Sequence, residues 1–478
     1  MSTTTRPAPP APAPVRPLPT PAPRRWGPEA VGAFVWATTL VVVALWEHHG
    51  GVQDLVASPA EAITSLGRLT ALVSSNLLLL QVLAMARIPV VERSLGQDRL
   101  ARWHRVLGFT SITLLLAHLV LTTLGWSLLD GVALWSELWS LVTTAPGMLL
   151  AAAGTALLVL VGVTSARFAR RRLRYESWHL LHLYAYLGVG LALPHQLWTG
   201  EDFLASTAAT VYWWSLYAAA LGAVLVHRVA APLRLSLRHR LTVSHVREEA
   251  PGIVTMHLTG RRLDELAVLP GQFFVWRFRT GPGWTRGHPY SLSAAPTTEG
   301  LRITLGTRGD DGDRLRRVAP GTPVLLEGPY GRLTPEVRRR RGLVLLGNGL
   351  GVAPLMSLLD DAARTGVLDP RRGGRPATLV RRVRDLGPQP FAAELDALTR
   401  AGLVEVVDLV GPRSTTGTAW LPAHLGHVTG PEAARLLVPD AAGCDVYVCG
   451  SATWADALAA DLRHAGVPRD ALHVERFS

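Results

Sequence analysis

Residues 104–124, HRVLGFTSITLLLAHLVLTTL, and 182–198, HLYAYLGVGLALPHQLW, decide how this chain is read. Both runs are apolar and carry a pair of histidines, His104 and His118 in the first and His182 and His195 in the second, spaced 14 and 13 residues apart. At a rise of about 1.5 Å and about 3.6 residues per turn, either spacing sets two imidazoles about 20 Å apart along the axis, the 14-residue pair within about 40° of one helix face and the 13-residue pair about 140° apart around it. Ionisable side chains at that depth are costly and usually face the bundle interior, so four in register ask for a shared purpose. Imidazole ligates haem iron, and two rungs of facing histidines suit two stacked bis-histidine haems. Polar glue between helices is the alternative, and it explains one such histidine better than four.

The rest of the chain gives these runs a setting. With 478 residues, 48% of them hydrophobic, and a mean hydropathy of +0.23, several domains are expected, part of them in lipid. Apolar runs at 31–46, 66–86, 104–124, 147–166, 178–197 and 204–227 approach membrane-spanning length, which predicts six spans with both termini on one side. One pair of connectors carries Arg87, Arg93, Arg99 and Arg102, and Arg167, Arg170, Arg171, Arg172 and Arg174; the other three hold carboxylates and no arginine. The positive-inside rule then makes both termini cytosolic in a multi-pass protein of the cell membrane, its partner being the lipid bilayer. That orientation pairs His104 with His182 for an inner haem and His118 with His195 for an outer one. His179, one turn before His182, is the rival inner ligand.

All 48 Lys+Arg residues are arginine, which excludes Schiff-base and P-loop lysine chemistry. The net charge of +12 is dispersed rather than gathered with aromatics into a stripe, so no nucleic-acid partner is expected. Two cysteines, Cys444 and Cys449, read as reduced cytosolic thiols. The Pro-rich residues 1–25 read as a disordered cytosolic tail; without an apolar core they are not a signal peptide.

After Arg228 the long apolar runs give way to short alternating ones, LRLSLRHRLTVSHV, IVTMHLTG, GQFFVWRFR, LRITLGT and TPVLLEG, which predict an antiparallel β-barrel. From residue 343, LVLLGNGLGVAPLMSLLDDAA reads as a strand, a glycine-rich turn and a helix, with TLVRRV, GLVEVVDLV and CDVYVCG as further strands of an α/β nucleotide-binding sheet. The fold expected is therefore multi-domain. A tail (1–25) precedes a six-helix transmembrane bundle (26–230), a β-barrel (235–335) and an α/β domain (340–478).

The segment RGHPYSLSAAP (286–296) resembles the flavin motif of the ferredoxin-NADP reductase superfamily, in the form used by the ferric reductase and NADPH oxidase family. PGQF (270–273), EGPYG (327–331), GNGLGVAP (347–354), VCG (448–450) and the closing HVERFS follow that superfamily's order of landmarks. The six spans with their spaced histidines resemble the ferric-reductase-like transmembrane domain of the same family.

This resemblance implies an NAD(P)H-dependent transmembrane flavohaem reductase with FAD, NADPH or NADH and two b-type haems. Its FAD would lie on His288, Pro289, Tyr290, Ser291 and the Gly309-Asp310 turn, with Ser291 and Phe477 serving hydride transfer. Its NAD(P)H would lie on Gly347, Asn348, Gly349, Gly351, Pro354, Cys449 and Gly450, with Arg382 and Arg384, beside Arg381, suited to a 2′-phosphate. Arg68 resembles the family arginine beside the outer haem. Gly312 stands where many relatives have a phosphate-binding hydroxyl, and Thr122 where the superoxide-forming members have a histidine. Electrons would pass from cytosolic NAD(P)H through FAD and both haems to an outer acceptor. Ferric chelates come first and oxygen second, while relay to a quinone or a protein partner is the reading from another class.

Overall fold

The computed structural model describes residues 27–166, 169, 172, 175–307, 312–414 and 418–477. The tail 1–25, the Gly309-Asp310 turn, and Arg167, Arg170, Arg171 and Arg174 lie outside the described residues. The chain divides into two compact units, one over Pro23–Ala230 and one built chiefly from Ala231–Ser478.

The first unit is helical. Its long helices are α1 (Gly27–His48), α2 (Pro59–Met85), α3 (Gln97–Asp130), α4 (Met148–Ser165), α5 (Tyr175–Trp198) and α6 (Thr207–Val224). Start signals are local: the Ser58 hydroxyl accepts from the Glu61 amide with Pro59 in the first turn of α2, and Ser206 accepts from the Ala209 amide at α6. Gly131, in the left-handed region at φ 67°, ends α3.

Among the described residues five helices are long and apolar enough to cross a membrane: α1 to α4 and the helix that starts at Thr207. The sixth expected span falls on α5. That helix has the length, but two histidines near its start and Pro194, His195 and Gln196 near its end dilute its apolar character.

Glycine allows the closest packing. A Cβ on Gly67 of α2 would lie 2.6 Å from the Thr122 hydroxyl of α3, and one on Gly154 of α4 would lie 2.6 Å from the Gly188 carbonyl of α5. The two histidine-bearing helices thus each lie against a different neighbour, α3 on α2 and α5 on α4. Some buried polar groups are paired between helices; Asn76, fully buried, accepts from the Tyr212 hydroxyl at 2.7 Å. Phe109, Trp135 and Trp139 are more than 70% exposed, an outward apolar surface that suits lipid.

The second unit starts with six antiparallel strands, β1 (Thr242–Ala250), β2 (Ile253–Thr259), β3 (Phe273–Phe278), β4 (His288–Ser291), β5 (Leu301–Gly306) and β6 (Val324–Tyr330). Where the sequence predicts a barrel, they form two three-stranded sheets, β1-β2-β5 and β4-β3-β6, joined by isolated bridges such as Leu292 to Ile303. The alternation in LRLSLRHRL also predicted strand, yet Ala231–His239 is helical. Tertiary contacts decide it: the Ser236 hydroxyl bonds both the amide and the carbonyl of Leu326, and the His239 ring bonds the Arg261 carbonyl.

A five-stranded parallel sheet follows, ordered β11-β10-β7-β8-β9, from β7 (Gly342–Asn348), β8 (Ala377–Val383), β9 (Val404–Val410), β10 (Cys444–Ser451) and β11 (Leu472–Phe477). Strand β7 runs through a 3-10 turn at Gly349–Gly351 into α7 (Val352–Arg364). Leu345, Leu379, Tyr447 and Leu355 pack between this sheet and α7.

Candidate functional site

The four candidate ligand histidines of the helical unit each have an oxygen atom against one ring nitrogen. His118 Nδ1 is 3.0 Å from the Gly67 carbonyl oxygen and 3.0 Å from Thr122 Oγ1. His195 Nδ1 lies 2.5 Å from Thr199 Oγ1. His104 Nδ1 faces the Gln81 carbonyl at 3.4 Å, and His182 Nδ1 the Ser165 hydroxyl at 3.1 Å. A carbonyl accepts and never donates, so Nδ1 carries the proton in His104 and His118 and the Nε2 lone pair is available to a metal.

The structure brings His104 and His182 together across two helices, their ring centres 5.8 Å apart. Two imidazoles that share one metal ion, with bonds of about 2 Å, have ring centres about 6 Å apart. The donor set therefore fits a bis-histidine iron. His179 is exposed, whereas His182 is half-buried.

Two further residues singled out in the sequence have partners in this unit. The Arg68 guanidinium, expected beside a haem, is clamped by Asp202 at 2.7 and 2.9 Å and by Asp54 at 2.9 Å, so a propionate would compete with two carboxylates. Thr122, at the position where the superoxide-forming members have a histidine, has its hydroxyl on the His118 ring.

In the second unit, β4 carries His288, Pro289, Tyr290 and Ser291 beside β3. His288 and Tyr290 project on one side, as residues two apart on a strand must, with ring planes 5° from parallel. Ser291 Oγ is sealed from solvent and has no hydrogen-bond partner among the described residues. An orphan buried hydroxyl marks a place for a polar ligand atom, which fits a flavin ring nitrogen. The sequence reading missed Arg314, whose guanidinium bonds the His288 ring and the Gly283 carbonyl. It stands two residues after Gly312, and its charge can serve phosphate where the missing hydroxyl would have. In a chain with this many arginines no sequence signal singles it out.

The residues after Ser291 tie into α7. The Ser357 hydroxyl donates to the Ala294 carbonyl at 2.7 Å and accepts from the Gly271 amide, while Asp360 accepts from the Ala295 amide at 2.9 Å. The flavin-motif strand and the helix behind the glycine turn are thus held in one frame. Arg302 adds a second tie, bonding Glu394 and Ser293.

At the carboxyl ends of the parallel strands, Gly347 pairs with Cys449, Cys449 with Glu475, and Ser451 with Phe477. A Cβ on Gly351 would lie 2.2 Å from the Cys449 carbonyl, and one on Gly450 2.9 Å from Asn348 Cβ. Only glycine lets these backbones approach, and Gly349 needs a positive φ of 55° besides. Pro354 is buried in the first turn of α7. Strand ends, a glycine turn and a helix start form a cradle that fits a dinucleotide phosphate. Burial, with the Glu475 carboxylate near, pushes the Cys449 thiol well up, so it remains protonated.

The arginine cluster is largely committed elsewhere. Arg381 pairs with Asp408 through two bonds of 2.8 and 2.7 Å, and Arg382 donates to the carbonyls of Val383, Leu409 and Pro412. Arg384 is exposed.

Comparison with known proteins falls into the same two parts. Residues 70–193 match the family described as "Ferric reductase like transmembrane component", a stretch that contains His104, His118 and His182. The chain is 27% identical over 244 residues to the ferredoxin reductase component of 3-ketosteroid-9-alpha-monooxygenase from Rhodococcus rhodochrous, a match covering 50% of this chain and 64% of that one. It is 31% identical over 215 residues to the ferredoxin-NAD(+) reductase component of an alkene monooxygenase system from Xanthobacter autotrophicus, covering 44% and 61%. Both matches span less than two thirds of the relative's length. Among solved structures, the flavohem-like FAD/NAD-binding domain of nitric oxide dioxygenase from Vibrio cholerae O1 biovar El Tor is 23% identical, with a TM-score of 0.40 and coverage of 50% of this chain and 98% of that one. The chain therefore contains a segment that matches a ferric-reductase-like transmembrane component and is also similar to the reductase components of monooxygenase systems.

Proposed function

We propose that the protein is a six-span oxidoreductase of the cell membrane, with cytosolic termini, that carries electrons from NAD(P)H to an acceptor on the outer side, ferric chelates first. When bound, FAD converts a hydride into single electrons and two b-type haems relay them. The glycine turn at 349–351, with Gly347, Gly450 and Pro354, holds the nicotinamide nucleotide. Tyr290 and Ser291 hold the flavin ring, His288 and Arg314 its phosphates, and Phe477 the face that the nicotinamide must reach. His104 and His182 hold the inner iron, and His118 and His195 the outer one.

The observation that carries this reading is the orientation of the four imidazoles. Oxygen atoms engage Nδ1 in all four, and the His104 and His182 ring centres already lie 5.8 Å apart, a spacing that suits a shared metal. The test is a reduced-minus-oxidised spectrum of the purified full-length protein, with NAD(P)H oxidation followed in parallel against ferric citrate and against oxygen. Two b-type haems per chain are expected, with one lost in His118→Ala and ferric citrate as the faster acceptor. A spectrum without b-type bands overturns the reading, and faster oxygen consumption moves the acceptor to oxygen.

A further inference from the structure

Thr122 and Thr199 each stand four residues after a candidate ligand, His118 and His195, and so share its helix face. Threonine inside a helix commonly bonds the carbonyl four residues back, as Thr123 does to Leu119 at 2.7 Å. Thr122 turns its hydroxyl to the His118 ring instead. Thr199 does both, donating to the His195 carbonyl at 2.9 Å while lying 2.5 Å from His195 Nδ1. A hydroxyl has one proton, so with that proton on the carbonyl, Thr199 accepts from the ring N–H. At His118 the Gly67 carbonyl fixes the proton on Nδ1, and the Thr122 oxygen shares it. Gly67 also makes room, because a Cβ there would lie 2.6 Å from the Thr122 hydroxyl.

The other pair is held more loosely. The His104 contact is 3.4 Å long, and the Ser165 hydroxyl facing His182 also accepts from the Trp178 ring N–H at 3.3 Å. An acceptor close to Nδ1–H draws the proton outward and makes the opposite nitrogen a more basic ligand, which stabilises ferric over ferrous iron.

We infer that Thr122 and Thr199 are positioning residues that lower the redox potential of the outer haem, making it a stronger one-electron donor to its acceptor. The inference rests on the reading that His118 and His195 hold that haem. It is tested by potentiometric titration of the full-length, haem-loaded protein, followed at the b-type absorbance. Thr199→Val is expected to move one of the two one-electron waves to higher potential by a tenfold change in the ferric/ferrous ratio, about 59 mV. Thr122→Val should move the same wave in the same direction, and Thr199→Ser, which keeps the hydroxyl, should leave it in place.

Waves that stay put in both valine variants, or two waves that move together, overturn the inference. If Thr199→Val loses haem absorbance, Thr122→Val decides; loss in both also overturns it. A wild-type protein without b-type bands overturns the underlying reading instead, so the two failures are distinct.

Discussion

In the helical unit each candidate ligand is fixed by atoms one turn away or on the adjacent helix, whereas in the sheet-containing unit the candidate site is assembled from strand ends far apart in sequence. His195 takes its partner from Thr199 and His118 from Thr122 and Gly67. The nucleotide cradle needs Gly347, Gly351, Cys449 and Glu475 together, and Ser291 is framed by α7 through Ala294 and Ala295. The difference teaches where damage should stay local. Removing one hydroxyl in the helical unit should tune one site, while one methyl at a strand crossing should disturb the whole entry of electrons.

The largest effect expected is at that crossing. Gly351→Ala puts a Cβ where the Cys449 carbonyl already stands, 2.2 Å away, so β10 or the turn must shift. NAD(P)H oxidation should fall by about a hundredfold or more, the cost of misplacing a bound reactant by about 1 Å. Reduction of the haems by dithionite should remain, and its loss as well would break the contrast between the units.

A smaller effect is expected at Ser291. Replacing it with alanine removes the hydroxyl proposed to meet a flavin ring nitrogen, worth about 1–2 kcal/mol, so hydride transfer should slow by about tenfold. Stopped-flow reduction of the bound flavin by NAD(P)H reads this directly. An unchanged rate would show that the sealed hydroxyl serves packing alone.

The smallest effect concerns Asp361 on α7. Burial, reinforced by the Asp360 carboxylate and opposed by Arg364, raises its pKa to about 6 from an ordinary 3.8. Well below 3.8 the carboxyl is protonated folded or unfolded and costs nothing. As pH rises through 6 the folded state must hold a charge it disfavours, and stability is lost. Asp361→Asn should therefore raise the melting temperature of the full chain by a few degrees at pH 7.5 and leave it nearly unchanged at about pH 3; an equal shift at both values would assign the effect to packing.

Much of this molecule was legible in its sequence, and the reasons are local. The apolar runs are long enough to be read as helices whatever surrounds them, and the 14- and 13-residue spacings set each histidine pair about 20 Å apart along its helix regardless of neighbours. The turn GNGLG reads as strand, turn and helix because glycine supplies a conformation that other residues resist. Where local pattern met tertiary contact, the pattern lost. The alternating LRLSLRHRL is a helix because Ser236 and His239 bond the strand region, and Arg381 is paired because β9 places Asp408 beside it. Arg314 could not be singled out among so many arginines.

The sequence alone determined that two helices carry two rungs of histidine and that a glycine-turn sheet follows, because periodicity and backbone freedom act over a few residues. Only the tertiary structure decided which oxygen atoms hold those rings, that Arg68 is met by two carboxylates, and that the Ser291 hydroxyl is sealed and unpartnered among the described residues, because hydrogen bonds depend on distances between residues that the chain brings together only on folding.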